Sequence, residues 1–262
     1  MNMMYLIKLT IIILISCCIQ HKTYAIEKHA ITILTPNNMS FAITEIIRNY
    51  SRTHHTIVTG SFNRLETLIH NIEEGDPADI IITDHPYWIK HLKQRGLVNI
   101  SSITNLAEDK LVLITSKSYY NLNKEIFENI THANNDTKRK FYNNFIIAIP
   151  NKEKDLIGNY AEEIIEKSNI FTSQSRIIQN DDIKDLILNN HNIIGITNYT
   201  NTYDDPNINI IETFENKLHK RFVYQIALIA SENMKEAENF INFLKSEDTL
   251  NILKKYGFEI IE

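Results

Sequence analysis

The residues that could do chemistry are thinly spread along this chain. Its two cysteines, Cys17 and Cys18, both stand in the first 25 residues. The remainder therefore offers no thiol nucleophile, disulfide framework or thiolate metal site. Histidines concentrate early, at His54, His55, His70, His85 and His91. Imidazoles could hold a transition metal, but these spacings match no recognised ligand pattern. Carboxylates cluster at Asp181, Asp182 and Asp185. Acid–base work is open to such a cluster, although a capped, solvated turn beginning a helix is the plainer reading. No Ser-His-Asp order, phosphate-cradling glycine loop, H-E-x-x-H pair or dinucleotide-binding glycine pattern occurs. These residues form no recognised catalytic or cofactor-binding motif, so neither a catalytic residue nor a cofactor is expected.

The elements that must position such a site alternate along the chain. Residues 1–25 have a charged start, a short apolar run from Leu9 to Ile19 and a small residue at Ala25, the pattern of a cleaved export signal. The run is about half the ~20 residues that a spanning helix needs. Leu14-Ile15-Ser16-Cys17 also resembles a bacterial lipoprotein box, so lipid anchoring at Cys17 is a second route. Without its leader the chain carries 25 basic and 32 acidic residues, and the bases are scattered, which points away from nucleic acid. Strand-like runs at 30–34, 56–58 and 78–83 alternate with helical ones at 40–50, 65–72 and 86–95. This is the βαβαβα order of a largely parallel sheet. From Lys110 the pattern restarts, with strands at 111–115, 145–149, 193–197 and 223–230. Helices are predicted over 158–167, 183–189, 235–245 and 248–256, and the polar stretch 121–136 is expected to include loop.

The motifs resemble those of the periplasmic molybdate-binding proteins of ABC importers. Glu74-Gly75-Asp76-Pro77-Ala78-Asp79-Ile80-Ile81-Ile82-Thr83 is similar to the family's A-G-A-P-A-D-L-F-I-S, and Trp88 follows at the family's spacing. Gly158-Asn159-Tyr160-Ala161, Ile194-Gly195-Ile196 and Lys255-Tyr256-Gly257-Phe258 fall in family order. The resemblance implies an α/β, two-lobed type II periplasmic-binding-protein fold, with mixed sheets flanked by helices and a hinge between the lobes. It places one lobe at residues 26–110 plus 226–262 and the other at 111–225. It also implies a monomeric, exported receptor in the periplasm. A small anion, molybdate or tungstate, would be its ligand, and an ABC permease in the inner membrane its partner. A metal ion or another small solute in an altered pocket is the alternative.

Carried over position by position, the resemblance implies ligand contacts at Asn38, where the family has a serine, and at Asn198, where it has a tyrosine. The family's second serine falls on Leu65, which has no donor, so Ser61 and Asn63 beside Phe62 are expected to compensate. In the second lobe the implied donors are the backbone N–H groups of Ile157 and Ile183. Asn38 is further expected to cap the first helix.

Overall fold

The computed structural model describes residues 30–231 and 233–261; the leader and Cys17 lie outside them. Two five-stranded sheets organise these residues. The first comprises β1 (Ile31–Pro36), β2 (Val58–Asn63), β3 (Ile80–Thr83), β4 (Thr104–Asp109) and β10 (Phe222–Leu228), in the order β2-β1-β3-β10-β4. The second comprises β5 (Leu111–Ser116), β6 (Ile146–Ile149), β7 (Arg176–Gln179), β8 (Ile193–Asn198) and β9 (Ile208–Thr213), in the order β7-β6-β8-β5-β9.

In each sheet a single strand runs against the rest. β10 is antiparallel to β3 and β4, and β5 is antiparallel to β8 and β9. These are the strands by which the chain enters the second sheet and returns to the first. The other strands of each sheet point the same way, so their carboxyl ends gather on one edge, where open α/β sheets take their ligands. Both faces of β1 and β3 are covered, which explains their uninterrupted apolar runs.

The helices are α1 (Ser40–His54), α2 (Leu65–Glu74), α3 (Pro86–Gln94), α4 (Lys117–Leu122), α5 (Lys124–Thr131), α6 (Asn135–Tyr142), α7 (Leu156–Lys167), α8 (Ile183–Leu188), α9 (Met234–Leu244) and α10 (Glu247–Lys255). α1 buries Ala42, Ile43, Ile46 and Tyr50 at helical spacing. Phe41, one position off that stripe, lies 76% exposed. α2 stops at Gly75, whose φ of 86° lets its N–H reach the carbonyl of Ile72 while that of Asp76 reaches Asn71.

The recognised motifs have structural roles. Buried Asp79 accepts the Thr32 N–H at 2.8 Å, fastening β3 to β1. In the closing motif, Lys255 and Tyr256 both bond Glu45 of α1, and Phe258 is buried. A Cβ on Gly158 would lie 2.4 Å from the carbonyl oxygen of Pro150, so glycine lets α7 begin tightly under the turn that leaves β6. A Cβ on Gly195 would lie 2.4 Å from Ile183, so β8 keeps glycine where α8 packs onto it. The polar stretch after Asn121 keeps short breaks at Asn123 and residues 132–134 but is mostly helical, as α5 and the start of α6, held by buried Phe127, Ile130 and Tyr142.

Candidate ligand-binding cleft

A cleft of about 460 Å³ opens between the two sheets, at the carboxyl ends of their parallel strands. From the first lobe it is lined by Pro36 at the end of β1 with Asn37 and Asn38 after it, by Asn63 at the end of β2 with Arg64 to Glu66 at the start of α2, and by Asp84, His85, Tyr87 and Trp88 after β3. From the second come Lys152 to Ile157 and Asn159 around the start of α7, with Asp181 and Asn201.

Three residues implied by the resemblance, Asn38, Asn63 and Ile157, are thus brought together, while Ser61, Ile183 and Asn198 do not line this cleft. Ser61 pairs with Leu34 inside the edge strand β2. Ile183 turns its side chain into an apolar cluster with Val112, Ile114 and Ile187. Asn198 is fully buried at the end of β8. Leu65 touches the cleft from the first position of α2, but its side chain is 7% exposed and packs with Leu34, Leu68 and Ile69. The family's hydroxyl position has become part of the core.

The polar groups divide by where their hydrogen bonds go. Asn38 does not cap α1, because that position belongs to Met39 after a short 3₁₀ turn. Its Nδ2 donates instead to the Tyr224 hydroxyl and, at 3.3 Å, to Thr200 Oγ1. Asn198 Nδ2 donates to Asp109 Oδ2 at 2.7 Å and to Thr200 Oγ1 at 2.8 Å. Asp109 collects this network where the chain crosses between lobes. It accepts further bonds from the Thr200 hydroxyl and N–H, the Lys110 N–H and the Tyr224 hydroxyl. Burial raises the Asp109 carboxyl to about 6 against the pull of those bonds. Asn38 is therefore tied to the crossing strands, and its Oδ1 is buried without a partner among the described residues.

The backbone donor expected at Ile157 is also engaged. Asp155 caps α7, and its Oδ1 accepts the Ile157 N–H at 2.8 Å, where an anion would sit. The start of α2 differs. Its flanking residue Arg64 makes no side-chain cap, and Leu65 and Glu66 of the first turn line the cleft beside an exposed guanidinium.

Sequence reasoning missed the acids. Asp84 directly follows β3; withdrawal from water, then the charges of Asp155, Glu66 and Asp109, push its carboxyl up to about 7. Asp155 is raised by the same withdrawal from water, with Glu66 adding to it and the Ile157 N–H opposing. A signal was available, since an acid immediately after an apolar parallel strand belongs on the ligand edge of such a sheet. The histidines do not assemble. His54 stacks on Tyr50, His91 bonds Glu73, His85 accepts the Tyr87 N–H, and no group of three potential ligands is placed to hold a metal among the described residues.

The family described as bacterial extracellular solute-binding protein matches residues 31–259. This chain belongs to it. The family is one of transport receptors rather than enzymes. Among curated relatives, the molybdate-binding protein ModA of Escherichia coli (strain K12) is 22% identical over 238 residues, covering 89% of this chain and 90% of its own. ModA of Haemophilus influenzae (strain ATCC 51907 / DSM 11121 / KW20 / Rd) is 22% identical over 233 residues, covering 87% and 89%. Among solved structures, the Azotobacter vinelandii periplasmic molybdate-binding protein superposes with a TM-score of 0.67 at 15% identity, over 88% of this chain and all of that one.

Proposed function

We propose that this protein is the extracytoplasmic receptor of an ABC importer and captures a small oxyanion-type solute, with molybdate and tungstate as the first probes, in the cleft between its lobes. The observation that carries the reading is the cleft's position: it lies at the carboxyl ends of the parallel strands of both sheets, with the uncapped start of α2 and Arg64 open to it. The molybdate relatives support the oxyanion. The losses at Leu65, Asn38 and Ile157 argue that affinity for the bare tetrahedral ion is reduced. The permease partner and the monomeric state follow from the same reading.

Thermal unfolding with molybdate, tungstate, sulfate, phosphate, zinc and iron salts tests it. A ligand at a hundredfold excess over its Kd stabilises by about 2.7 kcal/mol, a shift of several degrees. We expect oxyanions to shift the transition and the metal ions not to. A shift with a metal alone would replace the oxyanion by the metal alternative.

Export is part of the same proposal. Intact mass of protein from the native envelope is expected to show a species beginning near Ile26, or a diacylated one beginning at Cys17. Full-length protein in the cytoplasm would refute both.

A further inference from the structure

We infer that the solute carries an ammonium group beside its anionic one, so that the cleft binds a small zwitterion in preference to a bare oxyanion. This deepens the receptor reading above and rests on it.

The cleft has two poles. Its donor pole is the uncapped start of α2, with Arg64 and Asn63, which suits an oxyanion. Its acceptor pole is Asp84 from the first lobe and Asp155 from the second. An acceptor cannot bond the bare oxygens of molybdate.

No ion pair neutralises this pole among the described residues, and the charge of Arg64 opposes only part of what burial does to Asp155. Lys154 is bound to Asp181 at 2.7 Å and Lys152 to Glu162 at 3.0 Å, and no such pair reaches Asp84 or Asp155 among the described residues. Withdrawal from water is the main reason that both carboxyls are raised, and the charge of Glu66 adds to it at each. The α7 dipole, the second lobe's natural anion site, is already satisfied by Asp155.

Closure sharpens the argument. Asp84 and Asp155 stand on opposite lobes, so bringing the lobes together sets carboxylate against carboxylate. A bare dianion adds to that repulsion, whereas an ammonium between them turns it into charge-assisted hydrogen bonds. The space also fits: a cleft of about 460 Å³ is left mostly empty by a lone tetrahedral ion.

Calorimetry on the purified protein decides it, with 2-aminoethylphosphonate and its amine-free isostere n-propylphosphonate as probes and molybdate alongside. The amine is expected to tighten binding by on the order of tenfold or more. Asp84→Asn and Asp155→Asn should each erode that preference, and the second variant keeps a good helix cap. Both variants should bind n-propylphosphonate at least as tightly as the parent does. Equal binding of the two phosphonates to the parent protein, or a preference that survives both substitutions, overturns the zwitterion. Tight molybdate with no gain from the amine overturns it too, leaving the receptor reading intact. No binding of any oxyanion-bearing probe removes both.

Discussion

At about pH 7.5, Asp109→Ala is expected to destabilise the folded protein by about 3 kcal/mol or more. The measurement is urea unfolding, where the midpoint should fall at unchanged slope. Asp109 is 2% exposed and accepts from Asn198, from the Thr200 hydroxyl and N–H, from the Lys110 N–H and from the Tyr224 hydroxyl. Deleting the acceptor strands several donors in a place water reaches poorly, and each stranded group costs roughly 1–3 kcal/mol less whatever water replaces. Asp109→Asn preserves volume and one acceptor oxygen but turns an amide toward Asn198, so its loss should be intermediate. The consequence extends to binding. Tyr224 belongs to β10 and Thr200 follows β8, and both hold Asn38 in the cleft floor. Asp109→Ala should therefore weaken ligand binding even under conditions where the variant stays folded. A loss below about 1 kcal/mol, the worth of one ordinary hydrogen bond, would show that the network is dispensable.

Much of this architecture was legible in sequence because the strands covered on both faces are written as isoleucine runs. Ile80, Ile81 and Ile82 could hardly be anything else, and Gly75 and Gly96 mark where the neighbouring helices stop. The elements that escaped lack such a pattern. β7 has all four residues exposed at a sheet edge, so it alternates nothing. β9 pairs with β5 through a register shift between Leu113 and Ile114 that breaks its period of two. β4 ends in buried Glu108 and Asp109, and acids in a strand read as its end rather than its interior. β2 begins near the expected run but continues through Gly60 and Ser61 because parallel pairing with β1 sustains it. For the cleft, alignment placed the turns but not where each side chain would point. Asn38 and Asn198 are donors, yet both give their N–H groups to a buried network that no local spacing reveals. The acids that set the cleft's electrostatics come from three separate connections and become neighbours only in the folded chain.

The unliganded protein is expected to be most stable on the acid side of neutrality, near about pH 5, and to lose stability as pH rises toward 8. Asp84→Asn should remove part of that loss. In the unfolded chain an aspartate titrates near 3.9, whereas folding raises Asp84 to about 7 and Asp109 to about 6. Between those limits the native state holds more protons than the unfolded one, so raising the pH favours unfolding, and the full penalty stands above about 7. At the acid limb the sign reverses. Glu45, Glu73 and Asp181 are lowered, chiefly by hydrogen bonds from Lys255, His91 and Lys154, so their contribution is present above the ordinary carboxylate range and fades as pH falls. Thermal unfolding from about pH 4 to pH 9 reads both limbs. A change of 1 kcal/mol moves the transition by about 2–4 °C in a chain of this size. The variant should gain a few degrees at pH 8 and little near pH 4, where folded Asp84 is protonated and its unfolded counterpart is only about half ionised. An equal gain at both ends would mean that the asparagine acts by packing, and no gain would remove the charge from the account. Charge is also what a cationic group in the ligand would relieve. For the same reason 2-aminoethylphosphonate should stabilise the parent protein more at pH 8 than at pH 5, while Asp84→Asn should level the two.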